Sequence, residues 1–129
     1  MAVLKKLLAA VIGFSSLAFV SAQIYNPAEF CTDAYNTTDG VAEGTGFCAA
    51  IPADVGVCHT FADFPADSAL AGNLSFVYIP APYTYHCNLY QDASCSDTAY
   101  YWASSGHNDL TISLGGYNDN VDSWLCIAS

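Results

Sequence analysis

Beyond Lys6 the chain contains no lysine and no arginine, although it carries twelve aspartates and glutamates. Such a surface has nothing with which to neutralise phosphates, which argues against nucleic acid as a partner. Adhesion to an anionic membrane surface is disfavoured for the same reason. The carboxylates cannot pair with Lys or Arg, so backbone N–H groups, hydroxyls, water or metal ions must satisfy them. Long apolar runs are also scarce. One stands at the N-terminus, Leu7 to Phe19, and it is shorter than the ~20 residues that span a bilayer. There is no CxxC pair, and His59, His86 and His107 stand apart in the chain, a poor pattern for zinc. Recognisable nucleophile motifs are missing too. Ser104-Ser105-Gly106-His107-Asn108-Asp109 gathers Ser, His and Asp in one turn, but the members of a triad normally converge from separate elements. With no base to hold an anionic substrate, the expectation is a protein that is not an enzyme. An acid-acting glycosidase is a distant option, because twelve acids offer many spatial pairs.

What is present begins with a secretory leader. Lys5 and Lys6 precede the apolar run, and Val20-Ser21-Ala22 supplies small residues for signal peptidase, so residues 1–22 read as a signal peptide and residues 23–129 as the mature chain. That remainder suits one domain with one core. Six cysteines follow, at Cys31, Cys48, Cys58, Cys87, Cys95 and Cys126. An even count in a small exported chain reads as a disulfide framework whose connectivity the spacing leaves open. Sequons at Asn36-Thr37-Thr38 and Asn73-Leu74-Ser75 mark Asn36 and Asn73 as glycan acceptors on exposed turns. The expected location is extracellular.

Helical periodicity is poor, and Gly, Pro, Asn, Asp and Ser recur between short aromatic and β-branched runs. This pattern predicts an all-β sandwich or barrel. Strands are expected over 29–34, 46–51, 56–61, 74–79, 86–91, 98–103, 109–114 and 122–127, giving two Greek keys of four. An internal echo supports the division: Ser75-Phe76-Val77-Tyr78-Ile79 parallels Ser123-Trp124-Leu125-Cys126-Ile127. Phe30 and Tyr35 share a five-residue spacing with Tyr90 and Cys95. Tyr100-Tyr101-Trp102 offers rings on which sugars could stack, but on a strand Tyr100 and Trp102 face one side and Tyr101 the other, and such alternation usually sends some rings to the core. The 62–73 stretch is the longest insertion between expected strands.

Cys87-Asn88-Leu89-Tyr90-Gln91-Asp92-Ala93-Ser94-Cys95, Asp109-Leu110 and Tyr117 to Cys126 resemble the second Greek key of small secreted, cysteine-rich βγ-crystallin-like proteins of fungal type. The family hairpin is aromatic-x4-aromatic-x-Gly; Tyr90 fits its first position, while Cys95 and Asp97 replace the second aromatic and the Gly. The first half is similar in order but has Thr37 in place of the Gly. The resemblance implies one βγ-crystallin-like sandwich of two Greek keys, stapled by disulfides. It also implies a calcium motif, (Asn/Asp)-(Asn/Asp)-x-x-(Ser/Thr)-Ser, with ligands drawn from both keys. Asn118-Asp119-Asn120-Val121-Asp122-Ser123 matches it except at Asp122, so Asn118, Asp119, Asn120, Asp122 and Ser123 are the candidate calcium residues. Asn and Asp also shape turns through their own hydrogen bonds. In the first half, Leu70-Ala71-Gly72-Asn73-Leu74-Ser75 retains almost none of the motif. The function implied is that of a non-enzymatic extracellular structural or interaction protein with weak calcium binding, its partner an extracellular protein or carbohydrate. A secreted effector, antimicrobial toxin or protease inhibitor on the same scaffold is the alternative, with the 62–73 stretch as the inhibitory loop.

Overall fold

In Tyr85-His86-Cys87-Asn88-Leu89-Tyr90, residues Tyr85, Cys87 and Leu89 join the core, while His86 and Asn88 belong to the opposite face. That period-2 alternation makes the segment a strand with one buried side. The computed structural model describes residues 25–82 and 84–129, and the expected leader, 1–22, lies outside the described residues. Among the described residues the strands are β1 (Ala28–Asn36), β2 (Ala42–Ile51), β3 (Cys58–Thr60), β4 (Phe76–Ile79), β5 (Tyr85–Tyr90), β6 (Tyr101–Ala103), β7 (Gly106–Asp109) and β8 (Ser123–Ala128). They form two four-stranded antiparallel sheets, ordered β2-β1-β4-β7 and β3-β8-β5-β6. Advancing each strand of the first sheet by four gives β6-β5-β8-β3, which is the second sheet read backwards. The chain is therefore two Greek keys, β1–β4 and β5–β8, related by a pseudo-twofold axis. Each key lends its third strand to the edge of the other key's sheet.

Most strand boundaries shift by one or two residues from the sequence expectation, the second strand starts four residues early at Ala42, and two further differences have a clear local cause. The seventh strand ends at Asp109 and does not run over 109–114. Asp109 accepts a hydrogen bond from the Thr111 N–H at 2.9 Å, capping a 3-10 turn over Leu110–Ile112. The sixth strand begins at Tyr101 and not at 98, because Asp92 gathers the preceding residues into a polar turn. Its carboxylate accepts from the N–H and hydroxyl groups of Ser94 and Ser96 at 2.7–3.2 Å.

The echo between the halves is real but displaced by one residue. Ser75 N–H donates to the Cys31 carbonyl at 3.0 Å, and Asp122 N–H donates to the Tyr90 carbonyl at 2.8 Å. Ser75 therefore corresponds to Asp122 and not to Ser123. In this register the buried residues agree pair by pair: Leu70 with Tyr117, Leu74 with Val121, Val77 with Trp124 and Ile79 with Cys126. Gly72 and Asp119, at φ 71° and 58°, also coincide. Phe76 resembles Trp124 in type, but it turns away from the core toward Gly44. Facing, which residue type does not encode, sets the parity.

Trp124 is fully buried at the centre of the sandwich, with Phe30, Phe61 and Phe64 around it at centroid distances of 4.9–5.8 Å. Its burial is among the largest single apolar contributions in the domain. Three disulfides complete the frame. Cys31–Cys48 joins directly opposed residues of β1 and β2, and Cys87–Cys126 joins directly opposed residues of β5 and β8. Cys58–Cys95 ties β3 of the first key to the hairpin of the second.

Candidate functional site

The connection into β8 must turn sharply after Tyr117, and Asp119 adopts the left-handed region to do so. Aspartate is one of the few non-glycine residues that tolerate it. The Asp119 N–H donates to the Leu74 carbonyl at 3.0 Å, which places its carboxylate against the first key. There Ser75 Oγ donates to Asp119 Oδ1 at 3.3 Å, and Asn118 Nδ2 donates to Asp119 Oδ2 at 3.2 Å. Ser75 is itself buried. Asn118 Oδ1 is buried as well and accepts nothing from the protein. These groups open into a depression of about 630 Å³ that Asp33, Thr32, Asn73 and Thr111 also line.

The donors gathered here are carboxylate, hydroxyl and amide oxygens, with no nitrogen or sulfur ligand among those lining residues. Such a set suits a hard cation that accepts oxygen ligands at flexible geometry, as calcium does. The orphaned Asn118 oxygen fits the same reading, since a buried acceptor without a donor is costly unless a cation or water meets it. The donor chemistry of this depression therefore fits calcium.

Of the five residues expected to form a calcium site, Asn118 and Asp119 meet here, joined by Ser75 from the other key. Asn120 is exposed, and its N–H bonds to the Tyr117 carbonyl. Ser123 is turned to the hairpin: its hydroxyl donates to the Asp92 carbonyl and accepts the Cys95 N–H at 3.1 Å. Asp122 occupies the position equivalent to Ser75 and does not line this depression. Under the pseudo-twofold its partner position is Gly72, which has no side chain to offer. Ser75, Asp33, Thr32 and Thr111 were missed from the sequence. The spacing Leu70-x3-Leu74 against Tyr117-x3-Val121 would have corrected the register and exposed Ser75 at the hydroxyl position of the first motif.

His59 lies between two carboxylates, Nε2 to Asp54 at 2.9 Å and Nδ1 to Asp63 at 3.1 Å. The Thr60 N–H, then the His59 ring, hold Asp63 below its ordinary carboxylate value. Both ring nitrogens of His59 thus face carboxylates. The Ser104–Asp109 segment leads into β7 and is organised by Asn108, whose amide bonds to Ser104, Gly106 and Val77 backbone groups, and His107 packs on Tyr78. The 62–73 stretch runs through two short 3-10 segments, Phe61–Asp63 and Pro65–Leu70, anchored by buried Phe61 and Leu70, with most of its other residues exposed. The sequon Asn36 is exposed at the end of β1, and exposed Asn73 borders the depression.

No protein-family model and no curated protein sequence matches the chain. Solved structures do. A βγ-crystallin domain from Flavobacterium johnsoniae superposes with TM-score 0.57 at 21% identity, covering 81% of this chain and 97% of that one. The N-terminal domain of protein S superposes with TM-score 0.55 at 18% identity, covering 79% and 96%. Hahellin, a βγ-crystallin, gives TM-score 0.53 at 12% identity over 80% and 92%.

Proposed function

We propose, from the premise that this is a βγ-crystallin fold of two exchanged Greek keys stapled by three disulfides, that the protein is a non-enzymatic extracellular binding and structural domain steadied by calcium. The observation that carries the reading is the contact of Asp119 with Ser75 across the two keys. A cation held there would bridge two halves that otherwise share edge strands, core packing and one disulfide. Asp119 would supply charge, Ser75 and Asn118 neutral oxygens, and Asp33 a second carboxylate from the rim. Three disulfides in a domain of this size are compatible with an oxidising compartment.

Calcium should bind weakly, near the ~10⁻⁴–10⁻³ M typical of extracellular modules. At about 10 mM calcium this amounts to ~1.4–2.7 kcal/mol of added stability. Thermal unfolding with and without calcium tests it. The parent should gain melting temperature, Asp119→Ala and Ser75→Ala should lose most of that gain, and Asp122→Ala should keep it. A parent with no gain at saturating calcium would leave the 118–123 segment as a turn held by its own hydrogen bonds.

A further inference from the structure

The twelve carboxylates are unevenly placed. β1, β2 and β7 carry Glu29, Asp33, Glu43 and Asp109, whereas β3, β5, β6 and β8 carry no acidic residue. The outer face of the second sheet is thus uncharged in a domain that is otherwise strongly anionic. Aromatic rings occupy it. Trp102 on β6 is 53% exposed and Tyr100 beside it 40% exposed. Trp102 stacks on His86 of β5 with centroids 3.9 Å apart and planes 7° from parallel. Tyr100 leans on Tyr90 at 5.5 Å. Both large rings are therefore braced from the neighbouring strand and lose little freedom when a ligand covers them. Burial lowers His86 from its ordinary value, which favours the uncharged ring beneath Trp102. Asn88 stands opposite Trp102 across the β5–β6 ladder. It is 4% exposed, and its Oδ1 accepts no hydrogen bond from the protein.

We propose that this face, with Trp102 and Tyr100 as its platform, binds a neutral polysaccharide. Sugar rings present flat C–H faces that pack on aromatic rings, and their hydroxyls suit an amide such as Asn88. The charge pattern selects among occupants. An anionic glycan or nucleic acid would be repelled by the surrounding carboxylates and would find no Lys or Arg to hold it. A basic peptide would find no carboxylate on this sheet. A neutral polymer suffers neither defect. The inference does not rest on the calcium reading, because the depression at Asp119 lines residues of the first sheet and the connection into β8.

The test is retention of purified protein on insoluble cellulose, chitin and β-1,3-glucan, with polygalacturonate as the anionic control, in calcium and in chelator. The parent should bind at least one neutral polymer, with or without calcium, and not the anionic one. Trp102→Ala should weaken retention about tenfold or more, as loss of a central aromatic anchor does, and Tyr100→Ala should weaken it less. Trp102→Phe should retain most of the binding, and melting temperatures of all variants should confirm that they fold. Absence of retention on every neutral polymer overturns the proposal, as does equal retention of Trp102→Ala. A concentration-dependent dimer that Trp102→Ala abolishes would assign the face to a second copy of the chain and equally overturn it.

Discussion

On one side of the pseudo-twofold axis Asp119 meets Ser75; on the other the equivalent positions hold Gly72 and Asp122. Both sites need a residue at positive φ, and both have one. Glycine meets that backbone demand without strain and aspartate tolerates it, but aspartate alone brings a carboxylate to the turn. One half thus keeps shape with ligand chemistry, and the other keeps shape without it. The core has diverged in the same way: Val77 and Trp124 hold one position with very different volumes. Geometry is what the two halves have in common, and the side chains are where they part.

The largest effect should come from the unequal core. Trp124→Ala is expected to cost ~3–5 kcal/mol, against ~2 kcal/mol for Val77→Ala at the matched site. Urea unfolding measures both, and equal costs would show that the two halves of the core bear equal weight despite their volumes. Next is the link between halves. Removing Cys58–Cys95 by a double alanine substitution should cost ~2–4 kcal/mol, and separate unfolding of two units in calorimetry would show that this bridge makes the keys cooperative.

A third experiment restores the missing side chain. An aspartate at 72 meets open space at a φ it tolerates, and it would stand opposite Asp122 as Asp119 stands opposite Ser75. Titration calorimetry of Gly72→Asp should then show a second calcium event beside the first. Unchanged stoichiometry would mean that Asp122 cannot replace a hydroxyl.

The smallest effect concerns Asp92, the counterpart of Asp33. The Ser94 hydroxyl, then Ser96 and the local backbone N–H groups, hold Asp92 well below the usual carboxylate range. Its folded value lies below the unfolded ~3.9, so its contribution is present above that pH and is lost as pH falls toward the folded value. Asp63 acts in the same direction. Asp92→Asn should therefore lower the melting temperature near about pH 7, by a gap that narrows steadily as pH falls below about 3.9. A constant gap at all pH values would assign the loss to packing and not to charge.

The two-key division and most strands were legible because turn residues and alternating apolar residues mark them locally. The strand over 106–109 was not, since the capping of Thr111 by Asp109 overrides a run that reads as β. Half of the candidate site was legible. Asn118 and Asp119 carry their own motif, whereas Ser75 lies forty-four residues away and enters through a register that only facing reveals. Ser75-Phe76 and Ser123-Trp124 look alike and point opposite ways. The acid-free sheet face also escaped notice, because it is assembled from four strands of both keys.

The traded edge strands β3 and β7 have a consequence for any attempt to divide the molecule. Each half expressed alone would lack the fourth strand of its own sheet and expose the bare edge where it belongs, a template for non-native pairing. Mixed under oxidising conditions, the two halves would each carry the strand the other needs, and Cys58 with Cys95 could lock them afterwards. The domain is in this sense a pair of fragments that complement each other, divided between β4 and β5.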